Sequence, residues 1–166
     1  MAVEQAVGIR DAENEAFTSA VVGALIAGAA FGLLLHETGR MESVAALYGQ
    51  DGVHVGWLIH TAHSIFAGVF FLGVITLLSA TNLPGVGVLE RYAGFPTVTA
   101  LAGVVYGLML WGVFVATLIP LWGFAVGLER PLPYVHQPSL VGLVIFGGIL
   151  GVVYGVLFRV LTRLAG

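Results

Sequence analysis

Residues 55–80 read VGWLIHTAHSIFAGVFFLGVITLLSA, a run without a single Asp, Glu, Lys or Arg. A helix rises about 1.5 Å per residue and needs about 20 apolar residues to cross a hydrocarbon core, so this run is long enough to span a bilayer. Two histidines, His60 and His63, sit inside it. Working outward, three more long apolar runs occupy 17–36, 97–127 and 139–160. In lipid every backbone polar group must be satisfied within the protein, which leaves helices as the simplest spanning element for runs of this length. The chain therefore predicts an all-α, four-helix transmembrane bundle.

Composition agrees. The 166 residues are 58% hydrophobic and 9% charged, with mean hydropathy +1.01, against roughly 45–50% apolar and about 25% charged in a soluble domain. All six basic residues are arginine, too few for a nucleic-acid footprint. No cysteine is present, which excludes thiolate metal sites, iron–sulfur clusters, c-type haem attachment and disulfides. Walker, His-Glu-x-x-His, Gly-x-Ser-x-Gly and kinase signatures are absent, so no catalytic motif is on view.

Residues 1–16 carry Glu4, Asp11, Glu13 and Glu15 against Arg10. That is the wrong charge for a secretory n-region, and the segment reads as an acidic, water-exposed lead-in to one membrane domain over 17–166. The connectors are a polar loop, ETGRMESVAALYGQDGVH, a Pro/Gly-bearing TNLPGVGVLERYAGFP, and LERPLPYVHQP. Within the first, MESVAALYG has the composition for one or two helical turns, and Pro120 predicts a kink or unwinding near the far end of the third span. Four spans place both termini on one side. Arg10, Arg91, Arg159 and Arg163 lie on that terminus side, against Arg40 and Arg130 on the side of the first and third loops. The arginine bias predicts a multi-pass cell-membrane protein with cytoplasmic termini.

Much of the glycine falls at four-residue spacing: Gly28/Gly32, Gly103/Gly107, Gly147/Gly151 and Gly151/Gly155. In lipid such spacing lets helices approach backbone to backbone, within the bundle, in a homo-oligomer or in a larger membrane complex. AGVVYGLML (102–110) echoes LGVVYGVLF (150–158), which puts Tyr106 and Tyr154 at comparable depth. HTAHSIFAGVFFLG echoes HQPSLVGLVIFGG, so a duplicated helix pair is one reading.

All five histidines, His36, His54, His60, His63 and His136, fall on the loop side, with Glu37, Glu42, Asp51, Glu129, Tyr134, Trp57 and Trp122. His60 and His63 project about 60° apart, with Trp57 and Ser64 extending their stripe, at an estimated 8 to 12 Å below the boundary. Three readings stay open. In the first, His36, His60, His63 and His136, with Glu37, hold copper or zinc, or two of the histidines ligate a b-type haem in an electron-transfer subunit. In the second, histidines and carboxylates handle protons in a small transporter or channel. In the third they hydrogen-bond neighbouring helices and hold a structural or assembly protein together. Trp57 and Trp122 read as belt anchors, and HETGR (36–40) as a helix-end polar cluster.

Four spans, the paired histidines of GWLIHTAHSIFAGVFF and the two GVVYG segments together resemble small four-helix membrane proteins of haloarchaeal type, a group without an established activity. The resemblance implies the membrane fold and carries over no site residue. Histidine-kinase labels occur in that group, but this sequence has no soluble catalytic domain and no nucleotide-binding segment.

Overall fold

The structure, a computed structural model, describes residues 2–81, 84–127 and 130–165. They form α1 (Ala2–Glu37), α2 (Met41–Ala46), α3 (Val53–Thr81), α4 (Val86–Ala93), α5 (Phe95–Leu110), a π-helical segment (Trp111–Leu118), α6 (Ile119–Ala125) and α7 (Gln137–Ala165). Four stretches are long and apolar enough to cross a membrane: Ala12–Glu37, Val53–Thr81, Phe95–Ala125 and Gln137–Ala165. The protein is an all-α, four-span membrane bundle, and no strand occurs among the described residues.

Glycine punctuates the first loop. At the end of α1, Gly39 takes φ 66°, its N–H donates to the His36 carbonyl at 3.0 Å, and the Arg40 N–H donates to that of Leu35 at 2.7 Å. This pair of bonds is a Schellman closure, and it needs the left-handed residue that glycine supplies without steric cost. The same closure ends α2, with Gly49 at φ 65° and Gln50 N–H donating to the Ala45 carbonyl at 3.1 Å. Two sharp stops turn the chain back within one short loop, and α2 lies against the first turn of α3. Gly56 makes that approach possible, because a Cβ there would run into the Met41 carbonyl.

Side by side, the spans run α3, α1, α7, α5, with α5 on α7 the tightest pair. The glycine spacing explains why. A Cβ on Gly103 would collide with the Gly147 carbonyl, one on Gly107 with that of Leu143, and one on Gly151 with that of Thr99. On α1, Ala20, Ala24 and Ala27 are fully buried, and a Cβ on Gly68 of α3 would sit 2.5 Å from Ala24 Cβ. The row closes on itself where Phe71, fully buried, meets Tyr106 at 5.4 Å and Tyr154 at 5.7 Å between ring centroids. The two GVVYG tyrosines thus converge on one ring, and Tyr106 Oη donates to the Ala67 carbonyl at 2.7 Å.

Three features add to the sequence expectation. The acidic lead-in is helical and continuous with the first span. A helix, α4, occupies the second connector, where Gly85 and Gly94 with φ 89° and 82° bound it. In the third span the helix widens at Trp111, nine residues before Pro120. Proline has no N–H and its ring crowds the carbonyl four residues back, here Ala116. A π-helical stretch spreads that disturbance, and Thr117 Oγ1 donates five residues back to Gly112 at 2.9 Å. The Ala116 carbonyl accepts instead from the Tyr134 N–H, at 2.9 Å. The third loop therefore folds down along the π segment before α7 begins.

Candidate functional site

At the loop end of the bundle the histidines occupy separate settings. His60 points into the α1–α3 interface and is 7% exposed. Its Nε2–H donates to the Gly28 carbonyl at 2.9 Å, which fixes the ring proton on Nε2 because a carbonyl only accepts. Phe31 and Trp57 meet the imidazole edge to face, with centroids 5.5 and 6.1 Å away. One turn on, the Ser64 hydroxyl donates back to the His60 carbonyl at 2.8 Å. Small residues on α1 make the arrangement possible, since a Cβ on Gly28 would strike Ser64 and one on Gly32 would strike the Trp57 ring.

His63 turns the other way. The 60° offset from His60 carries it to an exposed position, where its Nε2 lies 2.6 Å from the Tyr48 hydroxyl. Tyr48 follows α2, so this bond ties the first loop to the second span. The stripe read from the sequence therefore splits, with His60 and Ser64 buried and His63 outside.

His36, in the last turn of α1, stands beside Trp57, whose Nε1–H points to His36 Nδ1 at 3.4 Å, with rings 6.2 Å apart. The indole lies between His36 and His60 and touches both. Glu37 is exposed at the helix end, and His54 is exposed on the first turn of α3.

His136 precedes α7 and is held by residues of two loops. Arg40 Nη1 donates to its Nε2 at 2.6 Å across 96 residues of sequence. A guanidinium can only donate, so Nε2 accepts here, while Nδ1 lies 2.8 Å from Ser139 Oγ and 3.3 Å from the Ser139 backbone nitrogen. Ser139 Oγ in turn donates to the His136 carbonyl at 2.9 Å, and Trp111 Nε1–H approaches the same carbonyl at 3.3 Å. Tyr134 stacks on the imidazole at 5.6 Å and 7°, and the Arg130 guanidinium sits 5.0 Å above the Tyr134 ring. Partial burial and the charges of Arg40 and Arg130 push His136 below the ordinary histidine pKa.

His36, Glu37, His60, His63 and His136 are thus not gathered into one ligand set, and no three or more His, Asp or Glu side chains are grouped to hold a metal among the described residues. The physical reason is that the imidazoles face different elements: His60 faces α1, His63 the end of α2, and His136 the first loop. Glu129 lies outside the described residues. Sequence reasoning missed Arg40, Tyr48 and Ser139 as their partners. The signals were faint, an aromatic two residues before His136 and a Ser three after it, as in a helix cap. Trp122, read as a belt anchor, donates from Nε1 to the Leu47 carbonyl at 2.8 Å and joins α6 to the first loop. Comparison with protein-family models, curated proteins and solved structures returns no match for this chain.

Proposed function

We propose that this protein is a structural or assembly subunit of the membrane, in which the loop-side histidines fasten helices and loops rather than ligate a cofactor. The observation that carries this reading is the bond from His60 to Gly28. It is buried, it joins two spans, and it takes up the ring proton of the best-buried imidazole. His63 with Tyr48 and His136 with Arg40 repeat the pattern nearer the surface. An interhelical hydrogen bond such as that from His60 is worth about 0.6 kcal/mol on average in membrane proteins, so it adds cohesion without dominating it.

The glycine faces read as oligomerisation surfaces are occupied within the chain. Association with a larger membrane complex, or with a second copy, therefore falls to the lipid-facing residues of α3, such as Leu58, Phe66 and Phe70. We place both termini in the cytoplasm on the arginine count. The test is the visible spectrum and metal content of the protein purified in detergent after growth with iron, copper and zinc supplied. The fastener reading expects no Soret band and no stoichiometric metal. A Soret band or bound metal that disappears in His60→Ala or His136→Ala would restore the haem or metal reading. A pH-dependent flux in vesicles lost in His63→Ala would favour proton handling.

A further inference from the structure

Helix α4 buries none of its residues. Val88 is 60% exposed, Leu89 36% and Tyr92 85%, and the substantial neighbour of the helix among the described residues is α5, next to it in sequence. Eight residues are too few for a helix to hold together in water on its own. They are nevertheless sorted by face. At about 100° per residue, Val86, Val88, Leu89, Tyr92 and Ala93 fill one arc of about 160°, while Gly87, Glu90 and Arg91 fill the opposite one. The depth of the helix follows from its flanks, because it joins the second span, of 29 residues, to the third, of 31. At about 1.5 Å per residue such spans measure roughly 45 Å, which matches the thickness of a bilayer with its head groups. Their ends stand among the head groups, and so does the helix between them. Gly94, with φ 82° and ψ 157°, is the single residue between α4 and α5 and breaks the axis, so α4 turns aside instead of lengthening the span.

We propose that α4 is an interfacial anchor, lying on the bilayer surface with Val88, Leu89 and Tyr92 set among the lipid head groups and upper acyl chains. An amphipathic helix at that depth lowers its energy by burying the apolar arc in lipid and leaving the charged arc in water. Tyrosine suits the boundary, because its ring is apolar while its hydroxyl reaches polar partners. Glu90 and Arg91 offset each other in charge, so the helix is held through apolar area and not by an acidic head group.

The experiment uses the absence of cysteine from the chain. Single variants of the full chain each carry one nitroxide, with Val88→Cys and Tyr92→Cys on the apolar arc and Gly87→Cys and Arg91→Cys on the other. All four positions are exposed, and Gly87 has open space around it, so none of the changes disturbs packing. In phosphatidylcholine vesicles, collisions of the nitroxide are measured with oxygen, which concentrates in the bilayer, and with a water-soluble nickel chelate. The expected ratio of oxygen to nickel collisions is severalfold higher in Val88→Cys and Tyr92→Cys than in Gly87→Cys and Arg91→Cys. Equal ratios on the two arcs would overturn the proposal, whether all four labels met water or all four met lipid. Shielding of Val88→Cys and Tyr92→Cys from both reagents would overturn it as well, because protein and not lipid would then cover the apolar arc.

Discussion

His60 shows how an imidazole is kept below a membrane surface. Its N–H meets the Gly28 carbonyl, its faces meet Phe31 and Trp57, and the missing Cβ atoms of Gly28 and Gly32 leave room for its neighbours. Replacing it with Phe keeps an aromatic ring, slightly larger, and removes the bond, and should cost at least about 0.6–1.7 kcal/mol in reversible detergent unfolding. His60→Ala also opens a cavity and should cost more, about 2 kcal/mol or above. His136 gives a different signature. Its pKa is depressed, so the folded protein resists the proton that the unfolded chain accepts near pH 6.5. Stability is then lost as pH falls from about 6.5 towards the folded value, and is regained above it. The groups facing this imidazole are Arg40, Arg130, Tyr134 and Ser139. In His136→Gln that component of the pH dependence should vanish from the unfolding midpoint, and a curve identical to wild type would refute the assignment.

Among the helices, α5 and α7 are built to touch along their backbones. Gly147→Leu would drive a side chain into the Gly103 carbonyl, and should destabilise by at least ~2 kcal/mol, whereas Gly73→Ala, with open space around it, should be near neutral. The break in the third span was legible in part. Pro120 announced it, but the widening at Trp111 did not, because its relief comes from the Tyr134 N–H in another connector. Hydrogen exchange should find the Tyr134 amide strongly protected despite its place in a loop, and fast exchange there would remove the link. Helix α4 went unread because Gly85, Gly87 and Gly94 in its neighbourhood look like loop composition, although two of them are its boundaries.

For the whole molecule, the four spans and their glycine seams were readable because both depend on local spacing: apolar length for crossing, four-residue repeats for contact. The histidine partners were not, since Arg40 and His136 lie 96 residues apart and only the packing of α1 beside α7 brings them together. A one-sided cluster in sequence became separate contacts in space, His60 with Gly28, His63 with Tyr48 and His136 with Arg40. Sidedness is testable with the same economy, because the chain has no cysteine. Gln50→Cys in the first loop should be labelled in whole cells by a membrane-impermeant maleimide, and protection there with labelling of Gly87→Cys would invert the orientation.

On the proposed reading the loop-side imidazoles are bonded to protein and not reserved for a ligand. It is tested most directly by the unfolding midpoint of the purified chain with and without added zinc, copper or haem. Any ligand of the folded state alone must raise that midpoint with concentration. No saturable rise is expected, in wild type or in His60→Phe. A saturable rise that His60→Phe abolishes would contradict it.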